Sequence, residues 1–90
     1  MAGTTTPTVL AVDLGTGGPK TALVSLDGTV IEAVHRRVEP RVRADGSATQ
    51  DPASWWDAVA DGTRALVAAH PDAVAALAAV AVTGQWGSTV

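Results

Sequence analysis

The chain has 90 residues, of which 47% are hydrophobic and 17% are charged, and its formal net charge is −3. This composition is typical of a folded globular chain, and the acidic balance argues against nucleic-acid binding, which calls for a basic face. No cysteine is present, which excludes disulfides and thiolate chemistry and favours a cytoplasmic location.

The N-terminal residues 1–7 are rich in threonine, and we expect them to form a disordered tail. They have neither the basic start nor the apolar core of a signal peptide. The longest apolar run, Ala73 to Val82, is shorter than the roughly 20 residues that a membrane-spanning helix needs. We therefore expect no membrane partner.

Three strands are predicted next, at about Thr8–Asp13, Lys20–Leu26 and Thr29–Arg37. Residues 9–12 are apolar without alternation, which predicts a strand covered on both faces. Asp27-Gly28 between the second and third strands predicts a tight turn. The segment Pro40–Gln50 is polar and contains Asp45-Gly46, so it is predicted to be a loop.

A long helix is predicted from Asp51-Pro52 to His70-Pro71. Asp51 is a suitable N-cap, and proline at the first helical position loses no hydrogen bond. Gly62 lowers the helix propensity, and close packing against a strand would explain its presence. One apolar stripe is expected to face the core: Trp55, Val59, Gly62, Leu66 and Ala69.

A short second helix, Ala73–Ala78, capped by Asp72, and a buried strand, Ala79–Thr83, complete the predicted elements. The predicted order is therefore β-β-β-α-(α)-β, an α/β arrangement. The pattern does not determine how the strands pair.

The turn between the first two strands is the most informative segment. Asp13 is followed by Leu14-Gly15-Thr16-Gly17-Gly18-Pro19 and then Lys20. Backbone amides of a glycine-rich turn can hold the oxygens of a phosphate, and a carboxylate can hold magnesium. Two better-known phosphate motifs do not fit, because the P-loop and the dinucleotide fingerprint need other glycine positions and a helix directly after the loop.

Three blocks of the sequence resemble the FGGY carbohydrate kinases, a family of the actin, Hsp70 and sugar-kinase superfamily, and among these the xylulokinases. The blocks are Asp13–Lys20, Gln50–Trp56 and Ala81–Gly87. The resemblance implies a ribonuclease-H-like fold with a mixed sheet. It also implies that residues 8–90 are the N-terminal part of the first of two domains, so that this domain is incomplete.

The resemblance also implies roles for individual residues. ATP and Mg²⁺ would be the cofactors. Asp13 would hold the metal, and Lys20 would neutralise phosphate charge during transfer. Four residues would wrap the phosphate: Gly15, Thr16, Gly17 and Gly18. A sugar or polyol would be met by Gln85, Trp86 and Gly87, although the family's Met-His-Gly is here Trp86-Gly87-Ser88. The general base and the adenosine site would lie beyond Val90, so we expect the fragment alone to be inactive.

Plainer interpretations remain open at this stage. The glycines are compatible with an ordinary hairpin, Lys20 with a surface lysine and Trp86 with a packing aromatic. Trp55 and Trp56 are expected to pack the helix against the sheet. His35 is expected on the surface of a strand and His70 at a helix end, neither with a second ligand at metal spacing. A non-catalytic nucleotide-binding or interaction module and a pseudo-kinase remnant are the alternatives to a sugar kinase. The sequence does not indicate the oligomeric state.

Overall fold

The computed structural model describes residues 6–84. The predicted sugar-binding residues Gln85, Trp86 and Gly87 therefore lie outside the described residues, as do residues 1–5 of the predicted tail. The elements are β1 (Thr8–Gly15), β2 (Gly18–Ser25), β3 (Val30–His35), β4 (Arg41–Val42), β5 (Ala48–Thr49), α1 (Pro52–Ala69), α2 (Pro71–Ala75) and β6 (Leu77–Gly84).

Four of these strands form one mixed sheet in the order β3-β2-β1-β6. The first three make an antiparallel meander, because tight turns join them, and β6 returns parallel to β1 after the helices. A parallel return needs a crossover connection, which α1 and α2 supply. The predicted α/β class and element order are confirmed for the main sheet.

The β1–β2 ladder extends further than the sequence predicted. Pairing begins at Thr8 with Ser25 and continues to Gly15 with Gly18, so only Thr16 and Gly17 lie outside the ladder. The predicted strand ends at Asp13 and Lys20 were wrong because the glycines, which weaken a strand, are still paired here. The glycine-rich segment is thus a hairpin end rather than a long open loop.

Helix α1 has the predicted caps and only part of the predicted core stripe. The Asp51 side chain accepts a hydrogen bond from the amide of Ala53, and a proline occupies the first turn. Gly62 and Leu66 are buried, but Ala69 is exposed. A methyl group on Gly62 would lie 3.4 Å from Thr21 Oγ1, so the predicted close packing is confirmed.

Only one face of the sheet is covered within residues 6–84. Helix α1 lies over β2 and β3, so β1 is not covered on both faces as predicted. The prediction of a buried last strand was also wrong, because β6 is at the edge of the sheet, beyond the reach of α1, and is exposed along its length. An apolar groove of about 640 Å³ runs between α1 and the β1–β6 pair. Trp56, which was expected to be packed, lines this groove and is 71% exposed.

Two local predictions were wrong for smaller reasons. The predicted loop contains the hairpin of β4 and β5, whose strands are two residues each and wholly exposed, so no hydrophobic pattern marks them. The second helix begins at Pro71 rather than Ala73, because proline suits the first helical position. Asp72 lies in its first turn and does not cap it.

None of the described helices is long and apolar enough to cross a membrane.

The turn between β2 and β3 is stabilised by its own aspartate, as the Asp27-Gly28 pair predicts. The Asp27 carboxylate accepts hydrogen bonds from the hydroxyl of Ser25 and from the amide of Thr29, the latter at 2.9 Å. These bonds, the first of them above all, hold the pKa of Asp27 below its usual 3.8. Gly28 takes a positive φ of 96°, the conformation that glycine adopts most readily.

Candidate phosphate-binding site

Asp13 and Lys20 lie side by side across the β1–β2 ladder. They are register partners, so both side chains leave the same face of the sheet. This face is opposite to α1, because the neighbouring residue Thr21 contacts the helix and side chains alternate along a strand. The carboxylate and the ammonium group predicted to act on one ligand therefore share one face.

The same row of side chains continues on both neighbouring strands. Thr83 of β6 is the register partner of Asp13, and His35 of β3 is the register partner of Lys20. Adjacent strands are about 4.8 Å apart, so the row from His35 to Asp13 covers roughly 10 Å. An anion, a cation, an imidazole and a hydroxyl are thus arranged in one line across four strands.

The end of the β1–β2 hairpin forms the floor of a shallow cavity of about 480 Å³ beside this row. Six residues line it: Asp13, Gly15, Gly17, Gly18, Lys20 and His35. The cavity combines three glycines, of which Gly17 is exposed and Gly15 half-buried, with both charged side chains predicted from the sequence. Oxygen-rich anions such as phosphates suit this combination of lysine and exposed backbone. Thr16, the remaining predicted phosphate residue, is exposed at the tip of the hairpin but does not line the cavity.

Gly18 has a structural reason to be glycine, in addition to the predicted phosphate contact. Its φ is 119°, and a methyl group there would lie 2.0 Å from the carbonyl oxygen of Arg36. The hairpin end is therefore packed directly against the chain that leaves β3. The amide of Val38 extends this contact by donating to the carbonyl of Gly17 at 3.2 Å.

Gln50 holds the hairpin tip from the other side, and sequence reasoning missed this role. Its Nε2 donates to the carbonyl oxygen of Thr16 at 2.8 Å and to that of Val38 at 3.2 Å. Its Oε1 accepts a hydrogen bond from the indole nitrogen of Trp55 at 3.1 Å. Gln50 and Trp55 belong to one of the three blocks that carry the family resemblance, so the signal was present. We call these three side-chain hydrogen bonds the Gln50 clamp.

The charges of Asp13 and Lys20 are available to a ligand. Within residues 6–84 the ion pairs join Arg36 to Asp61, Arg37 to Glu39 and His70 to Glu32, and neither site residue takes part. Lys20 is also the only lysine of the chain. A lysine without a carboxylate partner, beside accessible glycine backbone, suits the binding of an anion.

Asp13 has the chemistry that a magnesium site requires. Its carboxylate is exposed and lines the cavity with Lys20 and the glycines. In the described part of the chain, no three side chains of His, Cys, Asp or Glu lie close enough together to form a complete metal site. Mg²⁺ usually takes one or two carboxylates and completes its shell with waters and phosphate oxygens, so a single aspartate fits it.

Comparison with known proteins identifies the family. The family model for the N-terminal domain of the FGGY family of carbohydrate kinases matches residues 8–90. The chain belongs to this family. Among solved structures, a crystal structure described as a xyloylose kinase from Brucella ovis is 33% identical, with a TM-score of 0.81. The match covers 87% of this chain and 16% of that one.

The structural match also identifies the fold. The mixed sheet with its helical crossover corresponds to the beginning of a sugar-kinase N-terminal domain of the actin and Hsp70 type. A search of curated protein sequences found no match. The hairpin end with Asp13 and Lys20 thus lies in an FGGY carbohydrate-kinase domain.

Proposed function

We propose that the chain is the N-terminal part of a longer ATP-dependent sugar kinase, and that its hairpin end binds the transferred phosphate. The reaction is the transfer of the γ-phosphoryl group of ATP to a hydroxyl group of a sugar. The observation that carries this proposal is the pairing of Asp13 with Lys20 on one face, beside the accessible glycine backbone of the hairpin.

The site residues have distinct roles in this proposal. Lys20 neutralises the negative charge of the phosphate oxygens, which matters because phosphoryl transfer depends mainly on positioning and electrostatics. Backbone amides at Gly15, Thr16, Gly17 and Gly18 supply hydrogen-bond donors. Asp13 would hold Mg²⁺, which supplies positive charge to the phosphate chain when it is bound.

The general base of this reaction is expected elsewhere in the kinase. Four other aspartates of the chain have structural partners: Asp27 and Asp45 bond within their own turns, Asp51 caps α1 and Asp61 pairs with Arg36. Asp57 lies on α1. None of them lines the cavity beside the hairpin. We therefore expect the 90-residue chain alone to release no ADP from ATP in the presence of sugars.

The substrate class is the finer part of the proposal. We propose a pentulose resembling xylulose, met by Gln85, Trp86 and Gly87 directly after β6. An amide and an indole ring suit a polyol, because the amide bonds to hydroxyls and the ring covers C–H surface. The cytoplasm, where ATP and free sugars occur together, is the proposed location.

A phosphorylation screen of the full-length protein tests the proposal. Pentuloses, hexoses and glycerol are supplied with ATP and Mg²⁺, and ADP release is measured. We expect one sugar to be phosphorylated, and we expect Lys20→Gln to lower kcat about 10²–10³-fold, as for the loss of other transition-state charge contacts. Arg43→Gln removes an exposed charge that does not line the cavity, in the turn between β4 and β5, and serves as the matched control.

The outcomes separate the alternatives. If no sugar of the panel leads to ADP release and the protein does not bind ATP, a pseudo-kinase would be favoured. An unchanged kcat in Lys20→Gln would remove this lysine from the mechanism. Loss of sugar binding in a Trp86→Ala variant with unchanged ATP affinity would support the proposed substrate contact.

A further inference from the structure

His35 is the residue of the cavity beside the hairpin to which the proposed function gives no role. It is the last residue of β3 and the register partner of Lys20. It lines the cavity together with Asp13, Lys20 and the three glycines. A methyl group placed on Gly17 would lie 4.0 Å from His35 Nε2, so the imidazole reaches the hairpin tip.

The other histidine of the chain shows what a purely structural histidine looks like here. His70, at the end of α1, is half-buried and its Nε2 lies 2.5 Å from a carboxylate oxygen of Glu32. His35, in contrast, is exposed, and within residues 6–84 its side chain has no hydrogen-bond partner. Its ring nitrogens are therefore available to a ligand in the cavity.

The charges around His35 favour an anionic ligand. Lys20 flanks it on β2, and Asp13 lies one strand further away on β1. Arg36, the next residue along the chain, is directed to Asp61 of α1 on the other face of the sheet. The lysine thus stands between the imidazole and the only carboxylate that lines this cavity.

We propose that His35 is a third side-chain contact of the phosphate chain, with its Nε2 donating a hydrogen bond to a phosphate oxygen. This inference rests on the proposed function and adds a residue to its phosphate site. A row of about 10 Å from His35 to Asp13 is long enough for two linked phosphates. Lysine contributes a point charge, whereas an imidazole N–H is directional and would fix the orientation of the phosphate.

Inorganic tripolyphosphate with Mg²⁺ is the probe for this contact, because it lacks both the adenosine and the sugar. Binding to the chain is measured by calorimetry, and the two histidines are observed by NMR after ¹⁵N labelling of their rings. We expect the Nε2 resonance of His35 to shift on saturation and that of His70 to stay in place. We expect His35→Val to weaken binding about 3–10-fold, as for one lost hydrogen bond to a charged group at an exposed site.

Three further variants, Lys20→Gln, His35→Gln and His70→Gln, complete the design. His35→Gln, whose amide nitrogen lies close to the position of Nε2, is expected to recover part of the affinity. His70→Gln is the matched control and should bind as the wild type does. Thermal unfolding of each variant checks that the fold is retained.

The results distinguish this inference from the proposed function. If Lys20→Gln loses binding while His35→Val binds as the wild type does, the His35 contact is wrong and the phosphate site stands. If the wild type binds no tripolyphosphate, or Lys20→Gln binds it unchanged, both are wrong. Should His35→Val fail to fold, an unshifted His35 resonance in the saturated wild type still overturns the inference.

Discussion

Replacing Gln50 with leucine removes the Gln50 clamp while keeping a side chain of similar size. Two of its hydrogen bonds, to the carbonyl of Val38 and from the indole of Trp55, are partly buried. Such bonds contribute about 0.5–1.5 kcal/mol each. The third, to the carbonyl of Thr16, is exposed, and water replaces it in the variant. We therefore expect the free energy of unfolding to fall by about 1–3 kcal/mol.

Urea unfolding followed by tryptophan fluorescence measures this loss. Thermal unfolding is a second measurement, since each kcal/mol of lost stability lowers Tm by about 4–8 °C in a domain of this size. Trp55→Phe removes the indole donor together with part of the ring, and should cost at least about 0.5–1.5 kcal/mol. Thr49→Ala, at the exposed neighbouring position, is the control and should stay within about 0.5 kcal/mol of the wild type. A Gln50→Leu variant as stable as the wild type would refute the clamp.

Three further predictions concern the hairpin, the helix and acid stability. Gly18→Ala should lower the free energy of unfolding in urea by at least about 2 kcal/mol, because a positive φ and a clash with the Arg36 carbonyl both destabilise the variant. Gly28→Ala also has a positive φ, but its methyl group meets no atom, so it should cost only about 1–2 kcal/mol. Equal losses in the two variants would contradict the packing argument. Leu66→Ala should cost about 2–5 kcal/mol in the same assay, because the side chain is fully buried; a smaller loss would mean that α1 is loosely packed. The folded-state pKa of Asp27 lies below 3.8, so its stabilising effect is complete above that pH and is lost as the pH falls through the folded pKa. Asp27→Asn should therefore be less stable than the wild type at neutral pH. Its Tm, measured by thermal unfolding over a pH series, should fall less steeply at acid pH than that of the wild type. Equal slopes of Tm against pH for the two proteins would contradict this.

Local chemistry explains why the helix and the hairpin were predictable from the sequence. Asp51 and Pro52 mark the start of α1 through hydrogen bonds that involve only near neighbours. The turn at Asp27-Gly28 is likewise determined within a few residues. The placement of Asp13 and Lys20 on one face could also be expected, because a hairpin with a short turn forces its strands to pair.

The features that the sequence did not reveal depend on distant parts of the chain. The carbonyl groups that Gln50 binds are 34 and 12 residues away from it, so no local pattern announces the Gln50 clamp. His35 meets the hairpin only because β3 pairs with β2 in this register. The exposure of β6 was missed because an apolar run is the same in a central strand and in an edge strand; only the strand order distinguishes them.

The short turn of the β1–β2 hairpin has a consequence for how a ligand is received. Only two residues lie outside the ladder, and hydrogen bonds from Val38 and Gln50 fix their carbonyl groups. Ordering a flexible loop costs about 1–2 kcal/mol per residue, and here folding has already met that cost. Arrival of an anion should therefore leave the backbone at residues 15–18 almost unmoved, with rearrangement confined to the Lys20 and His35 side chains.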